Sequence, residues 1–439
     1  MTREAQFRII SRWSPPPKEG EKDVADISMH VGRNVLTQLL DMDTQQMRDH
    51  FRASAVSLAI WFADNWWRLR WEPIQDYRSN SAEWRLRHEL TSASGGTVWP
   101  PLMIYGVGER VVVSPISIGA DFGGPVQYRS IPVNIVSARD YEQGLDSFFS
   151  NVLSACEKAQ DGKALRVIID QLNDERKDPE EAGWRRLEAR LGFDPDEAPE
   201  GLIESLIEQE ARIGPEAVEE AAVGRPGSEA PHALQQAIAA SQTSALVVDL
   251  ESVGKVEGLS DQPDVNRPIW MIAEDAAAQL RQALGRHKGP LRNKAFSEIF
   301  SASWTELIKA DPTASKLPYG ARLKESETKE RLALQTRNGR DRRFELARVI
   351  GDVVWKKSGR FGVISHAKTD RQKFQRAFAQ SLLCPFEDLR HYIDLSGPSE
   401  EQIEAAAQRY HVHKNVVRTL LVNKGLLPRE TLEERLEAV

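Results

Sequence analysis

The segment from Arg342 to Trp355 constrains the fold more than any other part of the chain, because its apolar residues recur with the period of a helix. Apolar side chains stand at positions 344, 346, 347, 350, 353 and 354. This spacing places them on one face, as in an amphipathic helix that packs against a core. A second apolar segment, Ala377–Pro385, follows further along the chain. We therefore predict two core helices in this region.

The two segments together resemble the ImmA/IrrE family of zinc metallopeptidase-like proteins. In that family a segment of the type RRFxLAHELGH is followed by a helix of the type FAxxLLxP. This chain has RRFELARVIGD at 342–352 and FAQSLLCP at 378–385. The resemblance covers residues 261–439 and implies a mainly helical, zincin-like domain with a small sheet.

The positions that would hold the metal depart from the family pattern. A zincin helix carries His at i and i+4 as zinc ligands, with Glu at i+1 as the general base. Here these positions are Arg348, Asp352 and Val349, and the segment that would supply a third ligand, residues 371–375, reads RQKFQ. A guanidinium repels Zn²⁺, and valine cannot activate water. The sequence predicts a retained scaffold with no catalytic residue, no metal and no cofactor.

The resemblance implies a regulatory role, since family members occur in toxin–antitoxin, mobile-element, stress-response and phage-defence settings. We expect a non-catalytic component that binds a protein encoded nearby. Arg348, Val349, Asp352 and His366 are expected to line the degenerate groove. Arg348 and Asp352 stand one helical turn apart and are able to pair. Such a pair either lines a docking cleft or forms an ion bridge that holds the groove shut.

A nucleic-acid-binding subunit is the alternative function, with DNA or another nucleic acid as partner. Basic residues are concentrated between 337 and 376, and the segments 399–409 and 414–423 resemble a helix-turn-helix. Such a tail is also compatible with a packing element. Lysine and arginine neutralise phosphates, so binding would weaken with salt. The candidate contacts are Arg342, Arg343, Lys356, Lys357, Arg360, Lys373, Arg376, His413, Lys414 and Arg418.

A metal-dependent peptidase with atypical ligands is a second alternative. Asp352, His366 and Asp370 are the residues that would hold its metal, provided that loops bring them together. An adjacent guanidinium at Arg348 argues against this site, because cations are bound by anionic or imidazole ligands.

Composition indicates a soluble globular protein of several domains. The chain has 439 residues, 41% of them hydrophobic and 28% charged, and a net charge of −7, so a nucleic-acid surface would have to be a local patch. A signal-peptide core and an apolar run of the ~20 residues needed to span a membrane are both missing. We expect a cytoplasmic protein without membrane association. Cys156 and Cys384 are expected to be core thiols.

The pattern of elements predicts an α+β protein with three domains. Residues 1–137 form a Trp-rich, β-containing domain, residues 138–260 an acidic helical domain with a linker, and residues 261–439 the ImmA/IrrE-like domain with its helix-turn-helix-like tail. In the first domain we predict a helix near 32–50, strands within 58–71 that turn at Asp64 and Asn65, and a hairpin at 103–113. Two interpretations fit the tryptophans and arginines of 66–71. Either the tryptophans are core residues and the arginines form a solvated face, or both form a surface on which nucleic-acid bases stack.

Overall fold

The computed structural model describes residues 6–13, 23–74, 82–93, 98–116, 124–156, 160–253, 267–309, 316–336, 339–355 and 359–432. The chain is an α+β protein in which small antiparallel sheets accompany a larger number of helices. Its internal contacts divide it into two compact units, residues 1–203 and 204–439. Residues of the predicted central region 138–260 therefore belong to both units.

The N-terminal unit starts with strands and continues with helices. Its strands are β1 (Phe7–Trp13), β2 (Val24–Val31), β3 (Asn34–Val35), β4 (Leu39–Asp41), β5 (Gln46–Arg48), β6 (Phe51–Ser54), β7 (Leu102–Gly106), β8 (Arg110–Pro115), β9 (Val126–Tyr128) and β10 (Asn134–Ser137). Its helices are α1 (Ala55–Asp64), α2 (Trp66–Trp71), α3 (Ala82–His88), α4 (Ala138–Ala155), α5 (Gln160–Lys177) and α6 (Pro179–Leu191). The strands form three antiparallel sheets: β1-β2-β3 with β6 on β2, β5-β4-β9 and β10-β8-β7.

The prediction of strands within 58–71 is wrong, because this segment forms the helices α1 and α2. A short run of apolar residues fits a buried strand and a buried helix equally well. Ser54 caps the N-terminus of α1, where its side chain accepts a hydrogen bond from the backbone N–H of Ser57 and stabilises the helix. The predicted break is real, since Asn65 separates the two helices and donates from Nδ2 to the Trp61 carbonyl at 2.8 Å.

The prediction of a helix near 32–50 is also wrong, because three short strands occupy this segment. Gly32 and Gln45 have φ values of 58° and 55°, which turn the backbone and interrupt a helix. The predicted hairpin at 103–113 is confirmed, with β7 and β8 paired antiparallel on either side of Gly108.

The aromatic and basic residues of 66–71 lie in the interior of this unit. Trp66 and Trp67 are buried in the core, and so are Arg68 and Arg70. Arg68 pairs with Glu72 and Asp194, and Arg70 pairs with Glu142 at 2.7 Å. The arginines are therefore buried ion pairs, and the expected solvated basic face is not formed.

The C-terminal unit, with α7 (Leu202–Ile213) at the boundary, has four strands and a larger set of helices among its described residues. The strands are β11 (Val247–Asp249), β12 (Gly320–Lys324), β13 (Lys329–Ala333) and β14 (Phe361–Ile364). The helices are α8 (Pro215–Gly224), α9 (Ala230–Thr243), α10 (Ile269–Ala283), α11 (Asn293–Phe300), α12 (Trp304–Leu307), α13 (Gly339–Trp355), α14 (Asp370–Leu383), α15 (Phe386–Leu389), α16 (Glu400–Tyr410) and α17 (Lys414–Asn423).

Helices α13 and α14 are the two core helices that the apolar spacing predicts. Leu346 and Ile350 of α13 and Phe378 and Leu382 of α14 are fully buried in one hydrophobic cluster. The antiparallel sheet has the order β11-β13-β12-β14. Its register sets Arg322 of β12 opposite Gly362 of β14, and this pairing positions the site described below.

Both cysteines are core residues, as predicted. Cys156 and Cys384 are buried in different units, and neither forms a disulfide. Within the described part of the chain, no helix combines the length and the apolar character needed to cross a bilayer.

Candidate functional site

Asp352 of α13 is the centre of a buried ion cluster that three elements assemble. Its side chain has 0% exposure. Arg371 of α14 donates from Nε to Asp352 Oδ1 at 2.7 Å and from Nη2 to Oδ2 at 3.0 Å. Arg322 of β12 donates from Nε to Oδ2 at 2.6 Å, and Gln375 donates from Nε2 to Oδ1 at 2.7 Å. Both oxygens of this carboxylate are therefore fully occupied by protein donors.

The cluster keeps Asp352 ionised in spite of its burial. Desolvation raises the pKa of a buried carboxyl group, because it disfavours the charged form. The cationic Arg371 and Arg322 outweigh this effect and lower the pKa of Asp352 to about 2. Arg322 also donates from Nη1 to Glu330 at 3.1 Å, so two guanidinium groups face two carboxylates.

The close fit of the cluster requires glycine at position 362. A Cβ atom there would lie 2.0 Å from Asp352 Oδ2 and 2.6 Å from Arg322 Nε. Real Cβ atoms do not approach other heavy atoms so closely. The backbone of β14 therefore forms one wall of the cluster and leaves no space for a side chain.

The expected ion pair between Arg348 and Asp352 is not formed, and a glutamine connects the two residues instead. Gln375 donates from Nε2 to Asp352, while its Oε1 accepts from Arg348 Nη2 at 3.1 Å. Arg348 Nη2 also donates to the Ser365 carbonyl at 2.5 Å and to Gln372 Oε1 at 2.8 Å. Burial, with Arg376 nearby, lowers the pKa of Arg348 to about 9.

The residues expected to line a groove are mostly closed off from solvent. Arg348 is 6% exposed and Val349 0% exposed, and the valine packs in the hydrophobic core. His366 lies at the surface. Desolvation of its ring and the cationic Arg348 and Arg376 lower the pKa of His366, so its imidazole is neutral at pH 7. Arg348, Val349 and Asp352 therefore do not line an open cleft.

Helix α8 covers the start of α14 beside the cluster. Glu220 Oε2 accepts from Thr369 Oγ1 and from Gln372 Nε2, each at 3.0 Å. Thr369 in turn caps α14 by accepting from the backbone N–H of Gln372. The same glutamine accepts from Arg348, so Glu220 belongs to the network that fixes the arginine.

Residues that could coordinate a metal do not gather here. In the ranges that the structure describes, no three His, Cys, Asp or Glu side chains are grouped so as to hold a metal ion. Asp352, His366 and Asp370, the atypical ligand set, are thus not brought together. The Asp352 carboxylate is saturated by two arginines and a glutamine, which leaves it no free lone pair for a metal ion.

Several arginines proposed as nucleic-acid contacts are interior residues. Arg342, Arg343 and Arg418 are 2%, 3% and 3% exposed. Arg343 donates to the Leu291 carbonyl and to Asn293, and Arg418 pairs with Glu400. Arg343 and Arg418 satisfy protein acceptors, and none of the three is an exposed basic side chain.

The other proposed contacts have mixed exposure. Arg360 and His413 are exposed, whereas Lys373, Arg376 and Lys414 are half-buried. Arg376 donates to the Ala367 carbonyl at 2.9 Å. Lys356 and Lys357 lie outside the described residues.

The C-terminal tail has the two helices that the sequence predicts. Helices α16 and α17 are joined by residues 411–413, and Ile403, Ala406, Val417 and Leu421 pack in the core of the unit. His413 caps α17, and Lys424 pairs with Glu274 at 2.7 Å. The tail is therefore attached to the rest of the unit as a packing element.

Comparisons with protein-family models, curated proteins and solved structures find no match for this chain.

Sequence reasoning missed most of the residues that build the cluster. Arg322, Glu330 and Glu220 lie outside the motif helix, and periodicity within a helix does not identify such partners. One signal was present, since Arg322 stands between Ala321 and Leu323 in a strand next to a hydrophobic helix. A charged residue in such a strand is seldom fully buried without a partner.

Proposed function

We propose that this protein is a non-catalytic, ImmA/IrrE-like regulatory component of a toxin–antitoxin, mobile-element or phage-defence system. It is a pseudoenzyme that acts in the cytoplasm by binding a partner protein encoded nearby. The observation that carries the proposal is the chemistry around Asp352. This carboxylate occupies a position of a zincin metal ligand and is enclosed by Arg322, Arg371 and Gln375.

The donor set does not fit a catalytic metal. Zinc takes thiolate, imidazole and carboxylate ligands, and a catalytic site keeps one position open for water or substrate. Here the carboxylate is saturated and fully buried, and Arg348 is linked to it through one glutamine. Val349 provides no group that could activate water. The scaffold therefore supports binding and does not support hydrolysis.

The partner is expected to bind outside the former groove. Arg348, Val349 and Asp352 are buried, so an incoming protein contacts the surrounding surface, where His366 is exposed. The ion cluster then serves to hold α13, α14 and β12 in a fixed arrangement beneath that surface.

Metal content tests the non-catalytic assignment. Protein purified without chelator is expected to contain far less than one zinc ion per chain and to have no chelator-sensitive peptidase activity. Stoichiometric zinc, or hydrolysis that a chelator abolishes, would contradict the proposal. Co-expression with the protein of the neighbouring reading frame tests the partner, and a co-purifying complex of fixed stoichiometry is expected.

A nucleic-acid-binding subunit is the second candidate function. It is favoured by one specific feature of the C-terminal unit, an open pocket that is cationic and has no carboxylate among the described residues of its lining. Local charge of this kind binds phosphates even when the whole chain is acidic.

A further inference from the structure

The C-terminal unit has an open pocket of about 1160 Å³ between α11, α12, the start of α13 and the end of α16. Ligand pockets typically measure roughly 300–1,000 Å³, so the space accommodates a nucleotide. Its lining includes Arg292, Lys294, Trp304, Arg340, Arg343 and Arg409.

The lining has a strong excess of positive charge. Arg292, Lys294, Arg340 and Arg409 are exposed, and the part of the lining that the structure describes contains neither Asp nor Glu. Desolvation, together with the nearby Arg343, Arg340 and Arg292, lowers the pKa of His411. Such a pocket attracts an anion.

Arg343 forms the buried part of this lining. Its guanidinium group is 3% exposed and donates to Asn293 Oδ1 at 2.9 Å and to the Leu291 carbonyl, both of which are neutral acceptors. Burial lowers the pKa of Arg343 to about 10. A buried cation that faces neutral acceptors is costly, and a bound anion would offset this cost.

Two helices begin at the pocket. Asn293 and Lys294 open α11, which has no acidic residue in its first turn, and Gly339 and Arg340 open α13, whose first turn contains Asp341. Helix N-termini present unpaired backbone N–H groups and favour negative charge. Lys294 adds to this positive potential at α11, whereas Asp341 reduces it at α13.

An aromatic ring completes the lining. Trp304 is half-buried and packs on Phe296 with ring centroids 5.8 Å apart, and the Arg343 guanidinium group lies 6.0 Å from the Trp304 ring. Aromatic side chains beside cationic groups are the usual platform on which nucleic-acid bases stack.

We propose that this pocket binds a nucleotide, with the phosphates on Arg292, Lys294 and Arg340 and the base on Trp304. The proposal deepens the second candidate function and rests on it. The nucleotide is either free or part of a single strand, since both offer a phosphate beside an aromatic base. The helix-turn-helix-like tail contributes Arg409 and His411, at the end of α16, to the lining of this pocket. The proposed phosphate and base contacts come from other segments.

Charge reversal tests the phosphate contacts. Binding of a fluorescein-labelled deoxythymidine decamer is measured by anisotropy at low salt, for the intact chain and for Lys294→Glu, Arg340→Glu and the double variant. We expect each single variant to weaken binding by about tenfold. The double variant should reduce the slope of log binding constant against log salt concentration by about the amount that two phosphate contacts contribute. Lys163→Glu, an exposed lysine of α5, is the control for the same charge change and is expected to bind as the intact chain does.

Substitution of the indole tests the base contact. Trp304→Ala is expected to weaken binding by about tenfold, whereas Trp304→Phe keeps an aromatic face and retains most of the affinity. Competition with ATP and with inorganic tripolyphosphate identifies the source and the chemistry. Displacement by ATP assigns the site to free nucleotides, and displacement only by the unlabelled decamer assigns it to single strands.

Three results would overturn the proposal. The first is unchanged decamer binding by the double variant. The protein then binds nucleic acid, but at a site other than this pocket. The second is tripolyphosphate competing as well as ATP, which removes the base contact. The third is no binding by the intact chain of the decamer or, measured directly by calorimetry, of ATP, which rejects the second candidate function together with the pocket. Thermal unfolding of each variant verifies that it is folded.

Discussion

Replacement of Asp352 by Asn is expected to destabilise the C-terminal unit by roughly 3–5 kcal/mol, the range measured when one partner of a buried ion pair is removed. The carboxylate is 0% exposed and accepts from Arg322 and Arg371. The amide removes the negative charge and leaves both guanidinium groups buried without it. Urea unfolding followed through the transition of residues 204–439 measures the loss.

Asp275→Asn provides the matched control for this change. Asp275 pairs with Arg267 at 2.6 Å, but the two side chains are 58% and 43% exposed. Exposed pairs of this kind contribute about 0–1 kcal/mol, so the control variant should unfold close to the intact chain. If Asp352→Asn is no more destabilising than Asp275→Asn, the cluster does not hold the unit together.

The pH dependence of unfolding gives an independent check on Asp352. The arginines lower its pKa from 3.8 to about 2, so the folded state prefers the ionised form. A depressed carboxyl pKa contributes stability above the unfolded value, and this stability is lost as the pH falls through the folded value. The intact chain should therefore lose stability between about pH 4 and pH 2, in a step that Asp352→Asn lacks.

Replacement of Gly362 by Ala is expected to destabilise the same unit by about 3 kcal/mol, at the upper end of the usual cost of overpacking. The new methyl group would lie 2.0 Å from Asp352 Oδ2 and 2.6 Å from Arg322 Nε. Both neighbours are fully buried and held by ion pairs, so they have little freedom to move away.

Gly397→Ala is the control, because a Cβ atom there meets no atom within 4 Å. It should unfold within about 0.5 kcal/mol of the intact chain, as surface substitutions usually do. Combining Gly362→Ala with Asp352→Asn should cost less than the sum of the two, since both act on the same contacts. Full additivity would mean that glycine is needed at 362 for a reason unrelated to the cluster.

The sequence was sufficient to predict elements whose apolar residues repeat clearly. The helices around 342–355, 377–385, 399–409 and 414–423 are present because one face of each is apolar. The segment 58–71 was assigned incorrectly because nearly all its residues are buried, so neither face shows a helical or a strand period. There the Ser54 cap selected the helix, and apolar patterning did not reveal it.

The candidate site was predictable only in part. The sequence located Arg348 and Asp352 on one helix, and their spacing indicated a direct pair. In the folded chain Asp352 is instead surrounded by Arg322 and Arg371, which come from a strand and from the next long helix. The bidentate contact of Arg371 and the additional contact of Arg322 with Asp352 are stronger than a single pair between Arg348 and Asp352 would be. Such partners depend on tertiary packing and cannot be derived from local spacing.

Charge counts along the sequence were similarly misleading. Arg342, Arg343 and Arg418 contribute to a basic run, yet they are buried. Arg343 lines the pocket as a buried cation, and exposed cations such as Arg292 and Arg409 join it from distant segments. A basic surface therefore depends on which arginines the fold leaves exposed to solvent.

We propose that the arginine–carboxylate cluster around Asp352 stands where the zincin resemblance would place a metal ion, and that this site binds no zinc. Thermal unfolding with excess chelator and then with excess zinc tests it most directly. A ligand at 1,000 times its Kd stabilises the folded state by about 4 kcal/mol, which raises the Tm of a domain of this size by about 8 °C or more. We predict that the Tm is the same in both conditions. A zinc-dependent rise of this size that Asp352→Asn abolishes would contradict the account.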